Sequence, residues 1–560
     1  MSESFLYQKL DTFSGFEELS KNVPDSVKLN LNPKYDLRPY QVDAFARFFR
    51  CYKKDFPGKT YPLHLLFNMA TGSGKTLIMA GLILYLYDQG YQNFLFFVNS
   101  TNIIEKTKDN FLNPASIKYL FNQEMNIGNR RVNISPVDNF EGVNPNDINI
   151  CFTTIQKLHS DLSTEKENAI TVEDFRKHKV VLIADEAHHI NVKTKSQVEM
   201  FASWENTIED ISIQNSENLL LEFTATHDYE TSAMVEKYRN KVIIRYDLLQ
   251  FRNDRFSKDV VIVQSDFDQR ERILQALLLN EYKQGVAAKY RINLKPVILF
   301  KAQRTIAQSQ ENKAEFHKLI DGLTARQIAD IRKSDIPIVQ RAFQFFSENT
   351  ISDEQLAERL KRDFHEDYCL SVNEEREKEQ YQILLNSLED NNNRIRAIFA
   401  VQKLNEGWDV LNLFDIVRCY EARDTGRAKI GATTMSEAQL IGRGARYFPF
   451  VLPLNDDCFR RKFDGDLEQE LRVLEELHYH SINDSRYIAE IRQALIAQGM
   501  MDEREVTREL KLKEPFKKTD FYKSGVVWLN DRKPKDYDGI SSFADLGVKM
   551  YIPAKTATYS

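Results

Sequence analysis

At 560 residues the chain is too long for one ordinary hydrophobic core, and its length favours three or four domains or subdomains. A content of 42% hydrophobic and 28% charged residues is that of a soluble globular protein. The net charge of −6 argues against a chain that is basic overall, but it leaves nucleic acid open because a local basic groove is enough to bind phosphates. The five cysteines, at 51, 151, 369, 419 and 458, have no paired short spacing for a zinc site or a disulfide framework. The N-terminus carries no basic-then-apolar signal, and no apolar stretch reaches the roughly 20 residues that span a membrane. A cytoplasmic protein with no membrane partner is the expectation.

Residues 1–35 form a leader without a strong pattern. Pro62 to Asn68 (PLHLLFN) then reads as a buried strand, and Leu77 to Tyr87 carries apolar residues at helix-compatible intervals. Between them lies Thr-Gly-Ser-Gly-Lys-Thr. Gly72 and Gly74 permit the dihedrals that let N–H groups of the loop, Ser73 included, curl around phosphate oxygens, while the following helix offers its positive end. Lys75 would reach the β and γ phosphates and Thr76 would hold magnesium. Met69 stands where the general pattern has its first glycine.

Such a loop needs carboxylates at the end of a neighbouring strand, and "VVLIADEAHHI" has them. Val180 to Ala184 is an all-apolar strand, after which Asp185 would hold magnesium and Glu186 would orient or deprotonate the attacking water. Two histidines are too few for a metal site, so His188 is assigned to coupling and His189 to structure.

From about residue 258 strand-helix alternation starts again, with strands expected at Val260–Val263, Pro296–Phe300, Ile395–Val401 and Ile416–Tyr420, and without a second phosphate loop. A lobe of this kind makes sense if it closes over nucleotide held by the first. In "QLIGRGAR", Gln439, Gly442, Arg443 and Arg446 would lie on its helix facing the cleft, the arginines spaced i, i+3 on one face. A guanidinium inserted from there stabilises charge on the γ-phosphate only in the closed state.

The loop, the Asp-Glu-Ala-His box and these later segments resemble the superfamily 2 helicases and translocases, and within them the motor (Res) subunit of type III restriction enzymes. The resemblance spans roughly residues 36–450, with the motifs in the expected order. It implies an α/β fold of two tandem RecA-like (P-loop NTPase) domains with a helical insertion and a C-terminal extension. By this resemblance, Gln41 in "LRPYQVDAF" would contact adenine, and Thr224 and Thr226 in "FTATHD" would couple hydrolysis to movement, with Gln439 and His188. In "LNEGWDVLN", Gly407 and Asp409 would lie near nucleotide or at the lobe interface, with Trp408 packing there. Arg443 and Arg446 are the finger candidates. Loops opposite the nucleotide in this family grip the nucleic-acid backbone, and the matching residues are Ser100, Thr101, Thr154, Gln156 and Lys301. For each of these, capping of a helix start has a nearly equal claim.

The expected organisation is a first RecA-like domain at 36–255, a second at 256–465 interrupted by a charged helical insertion at about 303–392, and a C-terminal helical extension over 466–560 that starts a further domain. There, "LEQELRVLEELHYH" and "SRYIAEIRQALIAQG" read as amphipathic helices, and His478 with His480 is too small a set for a metal. The nearest match to a nuclease motif, Asp502 with Glu509-Leu510-Lys511, lacks the accompanying strand end and is rejected. The nuclease of the family is then either absent or encoded beyond this sequence. The functional expectation is an ATP- and magnesium-dependent DNA helicase or translocase of a type III restriction-modification or related defence system, working on duplex DNA, with a modification methyltransferase subunit as partner. An RNA helicase and a nucleotide-gated scaffold are the alternatives.

Overall fold

The structure, a computed structural model, describes residues 4–13, 19, 21–99, 101–164, 167–185, 195–229, 231–303, 305–372, 381, 384–385, 387–390, 392–401, 410–421, 430–452, 457–501 and 520–524. One compact unit runs to Glu503; in the second, from Arg504, only the helix Asp520–Ser524 is described.

The first unit is built on two parallel sheets. Seven strands make the first: β1 (Leu63–Met69), β2 (Asn93–Val98), β3 (Ile134–Pro136), β4 (Ile148–Thr154), β5 (Val180–Asp185), β6 (Leu219–Thr224) and β7 (Val242–Tyr246), in the order β3-β4-β2-β5-β6-β1-β7. Every neighbouring pair is parallel. Its central strands are near-continuous apolar runs because helices cover both faces and neither face meets water. Helix α1 (Pro39–Lys53) opens with proline at its first turn, and its Gln41 Oε1 accepts from the Arg38 N–H at 2.9 Å, satisfying a group the helix start leaves orphaned. Helix α2 (Lys75–Asp88) follows β1 and is buried on all sides from Leu77 to Leu86, which explains why its apolar residues continue around the helix. Helix α3 (Thr101–Leu112) follows β2, and α4 (Ile155–Ser163) follows β4.

Six strands make the second sheet: β8 (Asp259–Ser265), β9 (Val297–Lys301), β10 (Cys369–Ser371), β11 (Ala397–Ala400), β12 (Leu413–Arg418) and β13 (Glu476–Ile482), ordered β8-β13-β12-β9-β11-β10 and again all parallel. Helix α5 (Gln269–Lys289) lies on one face. Among the described residues, the expected insertion includes the helices α6 (Ile306–Asp321), α7 (Ala325–Ile331), α8 (Pro337–Glu348) and α9 (Asp353–Asp363), whose apolar residues join the α5 core. Helix α10 (Ala432–Gly444) and α11 (Ser485–Ala497) cover the other face.

One element departs from the sequence reading. "LEQELRVLEELHYH" is no helix: Glu470–Glu475 is a 3₁₀ turn and Glu476–Ile482 is β13, an inner strand between β8 and β12. Its alternation places Leu477 and Tyr479 in the apolar core on one face and His478 and His480 in a polar network on the other. Burial of both faces decides the conformation, and the helical spacing of the leucines yields to it.

Candidate functional site

The phosphate-loop segment takes its shape from backbone. Gly72 and Gly74 have φ of +83° and +80°, a region closed to residues with a side chain except under strain, and Gly74 caps α2 in the left-handed conformation. Ser73 is buried between them, and its carbonyl accepts from the Tyr40 hydroxyl at 2.9 Å and the Gln41 amide at 2.8 Å. With Oε1 of Gln41 on Arg38 and Nε2 on Ser73, both ends of that amide brace the loop. Tyr40 in turn stacks on Tyr246 at 4.2 Å, and the Tyr246 carbonyl accepts from the Ala70 N–H, so α1 and β7 hold the loop from one side. Lys75 is buried at the start of α2 with its ammonium donating to the Met69 carbonyl at 3.3 Å, inside the curl of its own loop. Thr76, half-buried, follows it in the first turn.

Asp185 ends β5, beside β6. Glu186, His188 and His189 lie outside the described residues, as do Gly407, Trp408 and Asp409. Thr224, at the end of β6, donates through its hydroxyl to the Thr226 carbonyl at 2.7 Å and receives the Thr226 N–H at 3.2 Å. Asn68 on the loop strand donates to the Thr224 carbonyl at 3.3 Å and accepts from the Tyr229 hydroxyl at 2.8 Å. The Thr-Ala-Thr segment is thereby tied to the strand that leads into the loop.

The second lobe meets this loop through Arg446. A Cβ placed on Gly72 would sit 3.2 Å from Arg446 Nε and 3.4 Å from its Cγ and Cδ, so the arginine stem lies directly against the loop. Arg443, half-buried, and Gln439, exposed, are on α10 ahead of it. What holds α10 is a buried charge network. Arg418 on β12 donates to Glu437 at 3.1 Å, the Tyr487 hydroxyl donates to the same carboxylate at 2.8 Å, the Tyr420 hydroxyl reaches it too, and the Arg418 guanidinium is sandwiched 4.1 and 4.0 Å from the Tyr420 and Tyr487 rings. Near the cleft, Lys106 on α3 has its pKa pushed down to about 7, by burial first and then by the Lys118 and Arg446 cations, with Glu389 and Asp185 opposing. The loop with two left-handed glycines, a buried lysine, a hydroxyl at the helix start and a carboxylate on the neighbouring strand end fit a nucleoside triphosphate with a divalent cation.

The family model described as the type III restriction enzyme Res subunit matches residues 34–228, which contain the loop and Asp185. Over 466 residues the chain is 37% identical to the Haemophilus influenzae protein named "Probable type III restriction-modification enzyme HindVIP Res subunit", an alignment covering 74% of this chain and 90% of that one. The chain belongs to the family of type III restriction enzyme Res subunits. A second H. influenzae protein, of undescribed function, is 43% identical over 112 residues, 19% of this chain and 24% of its own length. Among solved structures, an HsdR-subunit fragment of a type I restriction enzyme from Vibrio vulnificus superposes with a TM-score of 0.41 at 15% identity, covering 87% of this chain and 70% of that one. The DNA-bound type ISP restriction-modification enzyme LlaBIII does so at 0.40 and 13% identity, covering 83% and 33%.

In this Res-family chain, the residues matched to nucleic-acid contacts have mixed settings. Thr101 and Gln156 are exposed, the latter donating to the Asn99 carbonyl at 3.3 Å, whereas Ser100 lies outside the described residues. Thr154 caps α4, its hydroxyl oxygen accepting from the Lys157 N–H at 3.1 Å. Lys301 is buried, and its ammonium donates to the Ala302 carbonyl at 2.8 Å and to that of Val401, tying the ends of β9 and β11. Tyr40 and Glu437 were not singled out by sequence reasoning. Tyr40 had a signal, an aromatic residue beside Gln41, while Glu437 had none, because a glutamate on a helix reads as solvated until its face is known.

The two histidines of β13 gain a third neighbour in the fold: donor atoms of Asp415, His478 and His480 lie within 4.8 Å of one another. Lys283 already stands on this carboxylate at 2.7 Å, and Asn280 donates to its other oxygen at 2.9 Å. Burial alone would raise the Asp415 pKa, but Lys283 and His480 outweigh it and hold the group ionised. Burial, with Lys283 adding to it, takes His478 down to about 4 and keeps it neutral at physiological pH. The cluster is a charge-balanced core network.

Proposed function

We propose that this chain is an ATP-dependent motor on DNA, the translocating subunit of a type III restriction-modification system. The observation that carries the reading is Arg446, presented by the second sheet's lobe against Gly72 of the phosphate-loop segment. Bound ATP with magnesium supplies a phosphoanhydride whose hydrolysis releases energy. Lys75 and the loop N–H groups bind phosphate, Thr76 and Asp185 hold the cation, and Glu186 orients or deprotonates the attacking water. Arg446, with Arg443, neutralises charge on the phosphoryl group when the lobes are closed, so hydrolysis and release alternate with closure and opening. Gln41, which braces the loop, is assigned to adenine; Gly407 and Asp409 are assigned to nucleotide or the lobe interface; Thr224, Thr226, His188 and Gln439 relay the change. DNA passes over Ser100, Thr101, Thr154 and Gln156, while Lys301 holds the strand end beneath. In this reading 36–255 and 256–465 are the two RecA-like domains, with β13 and α11 completing the second, and a modification methyltransferase subunit is the partner.

Steady-state ATP hydrolysis, without nucleic acid and then with duplex DNA, single-stranded DNA and RNA, tests this, with Lys75→Ala as the blank. DNA stimulation is the expected result. Stimulation by RNA alone, or by nothing, would replace the DNA motor by an RNA helicase or by a nucleotide-gated clamp.

A further inference from the structure

Lys258 enters the structure where the chain passes from the first sheet to the second. Its side chain is completely buried, yet it belongs to no motif. The ammonium donates to three main-chain carbonyls: Leu411 at 2.6 Å, Leu413 at 2.8 Å and Gly444 at 3.4 Å. It also lies 4.3 Å from the Phe414 ring centroid. Three acceptors from two distant segments match the three N–H donors of a charged lysine, and Gly444 is the last residue of α10, where a cation also meets the negative helix end. Burial pulls the Lys258 pKa down, Lys283 and Arg446 add to this, and the Glu389 and Asp415 carboxylates oppose it; the three carbonyls also favour the ammonium.

The main chain repeats the connection. The Lys258 N–H donates to the Ala445 carbonyl at 2.6 Å, and Ser257 forms an isolated antiparallel bridge with Arg446. The linker residues therefore grip the backbone of Gly444, Ala445 and Arg446 from two sides, directly behind the side chain that rests on Gly72.

Leu411 is gripped from a second direction. Its N–H donates to Glu389 Oε1 at 2.9 Å, and the same oxygen lies 3.8 Å from the ammonium of Lys118, a residue of the first lobe. One main-chain unit, two residues after the Gly407–Asp409 segment, is thus held by Lys258 through its carbonyl and by Glu389 through its N–H.

We propose that Lys258 and Glu389 are positioning residues for hydrolysis: Lys258 locks the chain at Leu411 and Leu413 to the end of the arginine helix, and Glu389 sets the same chain relative to the first lobe. The proposal rests on the assignment of Arg446 to the closing side of the ATPase. Neither residue touches nucleotide; both act by fixing where Arg446 stands when the lobes are closed.

The test uses the full-length chain. Lys258→Met is compared with Lys283→Met, which removes a second buried lysine of this lobe; its ammonium sits on Asp415 and donates to the Phe414 carbonyl at 3.0 Å, and it holds none of the Leu411, Leu413 and Gly444 carbonyls. Circular dichroism and thermal melts establish that each variant is folded at the assay temperature. Two quantities are then read: kcat and KM for ATP, and the ratio of affinities for ADP with aluminium fluoride and for ADP alone, which reports transition-state complementarity without turnover. Lys258→Met is expected to lose at least tenfold in kcat and at least tenfold in the affinity ratio, with ADP affinity unchanged within about threefold. Lys283→Met is expected to lose melting temperature and keep the ratio.

An unchanged ratio in Lys258→Met, or equal losses in both lysine variants, would overturn the proposal and leave Lys258 as a core lysine. Should Lys258→Met fail to fold, Glu389→Ala decides, because Glu389 is a quarter exposed: a threefold to tenfold fall in kcat and ratio supports the proposal, and wild-type values overturn it. If the wild type binds ADP with aluminium fluoride tightly but shows no nucleic-acid stimulation, the DNA motor fails while the ratio arm still judges Lys258 and Glu389.

Discussion

The two sides of the candidate site are made in different ways. On the first lobe the phosphate loop is a backbone object: left-handed Gly72 and Gly74, the start of α2, and a carbonyl at Ser73 braced by Tyr40 and Gln41. On the second lobe the arginine side is a side-chain object, its helix located by a buried network of Glu437, Arg418, Tyr420 and Tyr487, and its end gripped by Lys258. The difference teaches that binding can be encoded within a few consecutive residues, because it needs N–H groups in a local curl. Closure must be encoded over the whole lobe, because it requires one guanidinium to arrive at a point set by another sheet.

The comparison breaks most sharply at Lys75. Lys75→Ala should reduce ATP hydrolysis to background and weaken ATP binding together, because in the proposed mechanism the lysine acts on bound phosphate before and during reaction; near-normal turnover in a phosphate-release assay would remove the loop from the chemistry. Arg446→Ala should instead lower kcat by about 10³-fold, the lower bound for an arginine supplied across a cleft, and change ATP affinity by no more than about threefold. Equal losses of affinity in the two variants would erase the distinction between a binding side and a closing side.

Smaller effects sharpen it. Glu437→Ala leaves Arg418 buried without its carboxylate, and should destabilise the chain by about 3–5 kcal/mol in denaturant titration. Gly72→Ala places a methyl at φ +83° against Arg446, and the left-handed backbone alone costs about 1–2 kcal/mol. Its signature is a lower kcat together with a higher KM, since it disturbs loop and arginine at once. The smallest effect concerns pH: Lys106 is charged below its pKa of about 7 and neutral above it, so the positive field at Asp185 and Arg446 weakens as pH rises through neutrality. Lys106→Met should flatten the pH dependence of kcat between pH 6 and 8, and a profile identical to wild type would dissociate Lys106 from the site.

Much of this was legible before the fold was known, and the limits are specific. The strands ending at Met69 and Asp185 and the helix after Lys75 were readable because each is an uninterrupted apolar run next to a motif. The strand Glu476–Ile482 was misread as helix, although His478 and His480 alternate with Leu477 and Tyr479, since the leucines before it also carry helical spacing. Lys301 was matched to the nucleic-acid grip and is a buried donor to Val401 and Ala302; nothing in "LFKAQRT" tells which end of a strand faces water.

By itself the sequence determined the local conformation on which the proposed phosphate-binding half rests. Gly72 to Thr76 is contiguous, its conformation follows from missing Cβ atoms and a helix start, and its partner carboxylate needs only an apolar strand ahead of it. It also determined the family, through an ordered series of motifs. Only the tertiary structure decided that Arg446 meets Gly72, that Glu437 and Lys258 are buried among tyrosines and carbonyls, and that Asp415 joins two histidines 63 and 65 residues away. Those relations join residues far apart in the chain, and their energies depend on which faces the two sheets leave free of water.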